Sequence, residues 1–190
     1  MNFDYTKDFE LSELGEKPLK IYTYPAPVLK KISTEITQID EDIKNLCSDM
    51  IKTMYLSRGI GLAAPQVGKS IRLFVSDIEF EIDEENEDLI KNPAPRVFIN
   101  PKITKKEGQT TYEEGCLSFP GVYEKVTRYE TITLEYQNIN GEHHTIDADG
   151  LESICLQHEL DHLNGIVFIE KLSTLKQQFL KRKFLKSKKR

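Results

Sequence analysis

Residues 151–165, Leu151-Glu152-Ser153-Ile154-Cys155-Leu156-Gln157-His158-Glu159-Leu160-Asp161-His162-Leu163-Asn164-Gly165, place two histidines and a carboxylate at a spacing that turns a helix into a metal site. Residues four apart stand one above the other on a helix, so His158 and His162 aim two imidazoles at a single ion. Glu159, next in the chain to the first ligand, lies near that ion without being forced onto it. That suits a general base for a water polarised by the ion. Asp149 with Glu152 three residues on is a variant of the capping box, and Asn164-Gly165 is a stop signal. Leu151, Ile154, Cys155, His158 and His162 share one face, while Leu156, Leu160 and Leu163 make another apolar side. A helix apolar on two sides is buried. Two satisfied core histidines are the plain alternative; the glutamate beside them favours the metal.

Around this helix the composition describes one domain. The chain has 190 residues, 38% of them hydrophobic, with no run long enough to span a membrane. Its first residues are acidic and lack the apolar stretch of a signal peptide, so a cytoplasmic location is expected. Cys47, Cys116 and Cys155 are odd in number and widely spaced, which does not describe a disulfide framework and implies a reducing compartment. The net charge of −5 hides a split, because Lys176–Arg190 carries eight basic residues and no acid. A basic tail therefore follows a more acidic body.

Residues 1–18 show weak periodicity and are predicted as an extended N-terminal arm. Residues 19–33 read as a strand and turn. After Asp40, apolar residues at Ile43, Leu46, Cys47, Met50, Ile51, Met54 and Tyr55 recur at helical spacing and predict an amphipathic packing helix. From Gly59 to Gly68, glycines, alanines and a proline surround the single amide of Gln66, so the backbone there is open to close approach. No Gly-Lys-Ser/Thr follows, which excludes a phosphate loop. A strand is expected at 72–76, a solvated acidic loop at 79–88, and short strands at 97–100, 110–112 and 122–126 about the turn-bounded segment 113–121. Residues 131–136 and 142–147 form a hairpin through Asn140-Gly141, with His143 and His144 as exposed strand residues. The fold class is α+β: antiparallel strands packed around a central metal-binding helix, with an N-terminal packing helix and a basic C-terminal helix.

A catalytic site of this kind wants three protein ligands and an open position. A histidine three residues after Gly165 would complete one known pattern, but Phe168 stands there. The last acid, Glu170, follows His162 too closely for a pattern with a distant glutamate, so the third ligand comes from upstream. Cys116 is the stronger candidate, since a thiolate binds transition metals well, and Glu114 is its rival.

Three segments, Gly59-Ile60-Gly61-Leu62-Ala63-Ala64-Pro65-Gln66, Glu114-Gly115-Cys116-Leu117-Ser118 and His158-Glu159-Leu160-Asp161-His162, resemble the three motifs of the peptide deformylases, in order and with similar spacing. The resemblance covers about residues 19–173, making these the catalytic domain and 174–190 a basic helical tail. It implies that Cys116, His158 and His162 ligate one divalent metal, with Fe(II) expected and zinc, nickel or cobalt as replacements. The implied reaction removes the formyl group from the N-terminal formylmethionine of newly made polypeptides. Glu159 would move the proton, and the Gln66 amide and Leu117 backbone N–H would hold the oxyanion. Gly59, Ile60 and Gly61 would pair with the peptide, and Ile60, Tyr112, Glu114, Leu151, Ile154, Cys155 and His158 would wall the methionine pocket. N-formylmethionyl nascent peptides are the implied partners, with the ribosome reached through the basic tail. That tail is expected to be a helix capped by Ser173, with Leu172, Leu175 and Phe179 as its apolar side. Two departures from the family pattern stand out: Tyr123, where some members carry an arginine beside the substrate, and a longer acidic loop at 79–88. A metallopeptidase on the same helix and a silent peptide-binding homologue are the competing readings; intact Glu159, Gln66 and Cys116 weigh against the second.

Overall fold

The computed structural model describes residues 4–14 and 18–188. In chain order these form β1 (Phe9–Glu10), α1 (Glu41–Leu56), β2 (Gly61–Ala63), β3 (Leu73–Ser76), β4 (Glu81–Ile82), β5 (Leu89–Lys91), β6 (Arg96–Glu107), β7 (Thr110–Gly115), β8 (Tyr123–Arg128), β9 (Thr131–Gln137), β10 (His143–Ala148), α2 (Gly150–Leu163) and α3 (Thr174–Ser187). The expected α+β class, with antiparallel strands around the His-Glu-His helix, is what forms.

The central sheet runs β10-β9-β6-β3-β2, with every neighbouring pair antiparallel. Alternation along its strands sends successive side chains to opposite faces. Leu62, Leu73, Val75 and Ile99 meet Cys47, Met50, Met54 and Tyr55 of α1 on one face. Ala63, Phe74, Phe98 and Leu134 meet Leu156, Leu160 and Leu163 of α2 on the other. Asp40 starts α1 by accepting the Ile43 N–H at 3.0 Å. Covered by the sheet and by β7–β8, α2 is buried from Ser153 through Leu163. It stops where its sequence says it should. Gly165 has φ +69°, and a Cβ there would come within 2.8 Å of the Lys30 carbonyl oxygen, so only glycine turns the chain at this point.

Some expectations differ from what folds. Asp149 is the N-cap of α2 but its side chain makes no cap bond, and Glu152 pairs with Arg96 instead. The part of the predicted arm that is described, residues 4–14 and 18, is not extended throughout. β1 pairs with β5 through Phe9 and Ile90, and a 3-10 turn follows at Leu11–Leu14. Phe9, Leu11 and Leu14 are buried against α1, an irregular triplet whose burial comes from tertiary contact rather than any local period. Residues 1–3 and 15–17 lie outside the described ones. The expected solvated loop at 79–88 includes β4, which pairs with β5 through Ile82 and Ile90 to complete a small sheet β1-β5-β4. The expected strand in 19–33 is absent among the described residues, replaced by a 3-10 turn at Pro27–Lys30.

The tail is helical through Ser187, but Ser173 makes no side-chain cap bond, and the buried pair is Leu180 and Phe184. Leu175 and Phe179, expected on the packed side, are 80% and 63% exposed. Phe184 meets the ring of Phe119 with centroids 5.0 Å apart, and this fixes which face of α3 turns inward. Residues 189 and 190 of the tail lie outside the described ones. Among the described residues, no helix is long and apolar enough to cross a membrane.

Candidate metal centre

α2 and the turn after β7 build the centre together. The helix carries His158 and His162 one turn apart, their ring centroids separated by 5.0 Å. β7 ends at Gly115 and delivers Cys116 to the same point. Ligand atoms of Cys116, His158 and His162 all lie within 4.8 Å of one another, and Cys116 Sγ is 3.3 Å from His162 Nε2. One thiol and two imidazoles on this scale suit a divalent transition metal with a position left open. Glu114, the rival ligand, is not in this group; it faces the other side of the His158 ring.

There Glu114 accepts from His158 Nδ1 at 2.8 Å, which leaves Nε2 for the centre. Its two oxygens are also held by Arg128, Nε at 2.7 Å and Nη2 at 2.9 Å, in a bidentate pair. Arg128 Nη1 donates to Asp161, whose second oxygen pairs with Lys171 at 3.0 Å. Burial alone would raise the Glu114 carboxyl. Hydrogen bonds from Arg128 and His158 outweigh it and hold the group at about 2. Sequence reasoning passed over Arg128 and Asp161. The signal was available for Arg128, which shares strand parity with buried Val126 and so is an arginine pointing inward.

The two histidines meet different surroundings. Burial pushes His158 down, but hydrogen bonds to Cys116 and Glu114 and the nearby Glu159 charge raise it well above the ordinary histidine range. Burial, with the charges of His158 and Arg128, pushes His162 well below that range, towards the neutral form that a metal would require. Among the described residues three buried side-chain polar atoms lack a partner, and two are here, Glu159 Oε2 and His162 Nδ1. Orphaned buried atoms are costly, and Glu159 Oε2 is left to meet a group from outside the chain, whereas His162 Nδ1 is on the ring edge away from Cys116.

Glu159 is held from below. A Cβ on Gly61 would fall 2.5 Å from Glu159 Oε1 and 2.9 Å from its Cγ, so the glycine leaves room for the carboxylate. Burial pushes the Glu159 carboxyl up to about 7, opposed in part by His158 and Arg128. Gln66 is fixed at the other end: its Oε1 accepts the Ala63 N–H at 2.8 Å, which turns Nε2 towards Ser118 Oγ at 3.3 Å and Cys116 Sγ at 3.6 Å.

A cavity of about 580 Å³ opens onto these groups. Gly59, Ile60 and Gly61 line one part, Tyr112 and Glu114 of β7 another, and Leu151, Ile154 and Cys155 of α2 a third. Gln66, Cys116, Leu117, His158 and Glu159 complete the predicted set along it, while His162 is fully buried behind. The Cys155 thiol lies 3.5 Å from the Ile60 carbonyl, and burial raises it well above its ordinary value, so it remains a thiol. Arg58, Glu113, Phe119 and Val122 also line the cavity and were not anticipated.

A helix presenting His-Glu-x-x-His into a cavity, with a cysteine arriving from a neighbouring hairpin, defines a metal-dependent hydrolase centre. Residues 18–178 match the model of the polypeptide deformylase family. The peptide deformylase of Neisseria meningitidis serogroup C is 51% identical over 171 residues, 90% of this chain and 96% of that protein. That of Rhizobium meliloti is 46% identical, covering 90% and 93%. Among solved structures, the Legionella pneumophila peptide deformylase superposes with a TM-score of 0.81 at 40% identity, over 91% of this chain and 96% of that one. The Ehrlichia chaffeensis enzyme in complex with actinonin gives 0.80 at 38%, over 92% and 99%. The chain belongs to the peptide deformylase family. It is a metal-dependent enzyme that removes the formyl group from the N-terminal methionine of nascent polypeptides.

Proposed function

We propose that Cys116, His158 and His162 hold one divalent ion, Fe(II) in the native enzyme with zinc, nickel or cobalt as replacements, and that Glu159 is the base of the deformylation. The observation carrying this reading is the meeting of those three ligands within 4.8 Å beside a buried carboxylate oxygen that has no partner. When bound, the ion supplies Lewis acidity, making water nucleophilic near neutral pH and drawing electron density from the formyl oxygen. Glu159 takes a proton from the attacking water as the water oxygen bonds to the formyl carbon. The carbon–nitrogen bond then breaks, and Glu159 returns the proton to the leaving nitrogen, giving formate and a free amine. Gln66 Nε2 and the Leu117 N–H donate to the formyl oxygen as it gains charge; a donor of this kind is worth ~3 kcal/mol of barrier. The methionine side chain occupies the cavity between Ile60, Tyr112, Glu114 and the α2 residues Leu151, Ile154 and Cys155. The following peptide pairs along Gly59–Gly61, beside the edge strand β2.

Chelation followed by reloading tests this. Formate release from a formyl-methionyl tripeptide should fall to background in metal-free protein and return, under exclusion of oxygen, with one Fe(II) per chain. Cobalt loading should give a thiolate-to-metal absorption band that Cys116→Ser removes. Full activity without metal, or a band that survives that substitution, would overturn the ligand assignment.

We take residues 19–173 as the catalytic unit, working in the cytoplasm, and 174–190 as a tail that meets the ribosome. Exposed Leu175 and Phe179 among basic residues support a docking face there. Co-sedimentation with ribosomes should weaken steeply between about 50 and about 200 mM salt, as phosphate contacts do. Binding that is absent or indifferent to salt would remove the ribosome from this account.

A further inference from the structure

Arg58 has a conformation that costs stability and a position that gives it a use. It follows α1 at the place where a helix usually turns on glycine, with φ +53°. Its N–H donates to the Tyr55 carbonyl at 2.8 Å, and the Gly59 N–H donates to the Met54 carbonyl at 2.9 Å, so the turn is well fixed. Left-handed backbone is disfavoured for a side chain like arginine, and such outliers persist where the surroundings hold them. Arg58 lines the cavity and leads directly into Gly59–Gly61.

The register of a bound peptide follows from Gly61. That glycine lies against Glu159, so it marks the reacting end. Arg58 is three residues away, at most roughly 10 Å, the extended limit at 3.3 Å per residue, which its left-handed turn shortens. It therefore stands level with about the third residue of a peptide whose methionine is in the cavity. Its guanidinium already holds one carboxylate: Nη1 is 3.1 Å from Glu87 Oε2, and Nη2 donates to the Glu87 carbonyl at 3.3 Å. Both side chains are well exposed, at 45% and 76%, so this pair is weak and exchangeable. Five N–H donors leave the guanidinium with capacity for a second acceptor.

We infer that Arg58 is a specificity-determining residue of the deformylation, reading the charge of the residues that follow methionine and favouring an acidic side chain at about the third. Glu87, carried in the turn between β4 and β5, holds the guanidinium in place and competes with the substrate for it. The acidic segment 79–88 thus acts on the reaction through this single contact. Glu113, also on the cavity wall, adds a constant negative background that every variant below shares.

The inference rests on the proposed placement of the peptide along Gly59–Gly61. Its test compares formyl-methionyl peptides with glutamate or lysine at the third residue, using metal-loaded enzyme at low salt, and reads the ratio of their kcat/KM within each variant. Arg58→Gln should lower the glutamate-to-lysine ratio about threefold, and Glu87→Gln should raise it about threefold, both mainly through KM. High salt should shrink both changes. A ratio that is the same in all three proteins overturns the inference while leaving the catalytic reading intact. Because each ratio is internal to one protein, partial misfolding of a variant cannot imitate the result, and either variant suffices. Absence of turnover with every peptide would instead strike the assignment of the centre.

Discussion

Glu159→Gln is expected to lower formate release about a thousandfold, the order contributed by a positioned acid–base group, while the metal stays bound. The amide keeps the shape of the carboxylate but cannot accept the proton of the attacking water or carry it to the leaving nitrogen. In the native protein the carboxylate is buried, has one oxygen against Gly61 and the other without a partner, and so is not consumed by structural bonds. Its acid–base character predicts two pH effects. Without metal the group titrates at about 7, raised first by burial. A dication nearby opposes that rise, so the acid limb of kcat/KM in loaded enzyme should fall below 7, and the residual activity of Glu159→Gln should lack it.

Stability moves the other way. Because the folded-state value is raised above the ordinary 4.5, the native metal-free protein keeps a proton that the unfolded chain has released. Stability is therefore lost as pH rises from about 4.5 to about 7 and stays low above it. At 1.36 kcal/mol per pH unit the loss is at most ~3 kcal/mol. Metal-free Glu159→Gln should accordingly unfold at higher denaturant than the native sequence at pH ~8, with the gap closing towards pH ~4.5. Stoichiometric metal and near-native turnover in Glu159→Gln would dismiss Glu159 as the base.

What the sequence disclosed and what it withheld divide along one physical line. His158 and His162 were legible because helical geometry fixes residues four apart on the single element α2, and the other two motif segments are each short and continuous in the chain. The helix after Asp40 and the hairpin at Asn140-Gly141 were legible for the same local reason. Phe9, Leu11 and Leu14 were not, since their burial comes from α1 far along the chain. The face of α3 was misjudged: Leu175, Phe179 and Leu180, Phe184 are equally good apolar pairs at helical spacing, and only the ring of Phe119 decides between them. Glu114 was read as a rival ligand and as part of the pocket wall, not as the partner of Arg128 and His158. Its tie to Arg128 spans the β7–β8 hairpin, and its tie to His158 spans 44 residues, distances over which no periodicity speaks.

That tie carries the largest expected structural effect. Arg128→Met should destabilise the protein by about 3–5 kcal/mol at neutral pH, the range for breaking a buried ion pair by removing one partner. Arg128 and Glu114 are almost fully buried, and the substitution leaves Glu114 and Asp161 without their shared cation. Lys171 still reaches Asp161 from the surface, so the larger share falls on Glu114. The sign with pH is fixed by Glu114, whose folded-state value is depressed to about 2 from the ordinary 4.5. Its contribution is fully present above about 4.5 and is lost as pH falls towards about 2, so the variant and the native protein should converge in that window. A functional effect follows from the same geometry. With Arg128 gone, Glu114 is free to leave His158 Nδ1, the ring loses its orienting bond, and metal affinity should fall ten- to a hundredfold, the usual scale for such supporting groups. Arg128→Lys restores the charge without the fork and should recover part of the stability but little of the affinity. Urea unfolding at pH ~7 and at pH ~3, together with competition for metal against a chelator, measures both. Unfolding curves within ~1 kcal/mol of each other, with unchanged metal affinity, would mean that His158 is held by the helix alone.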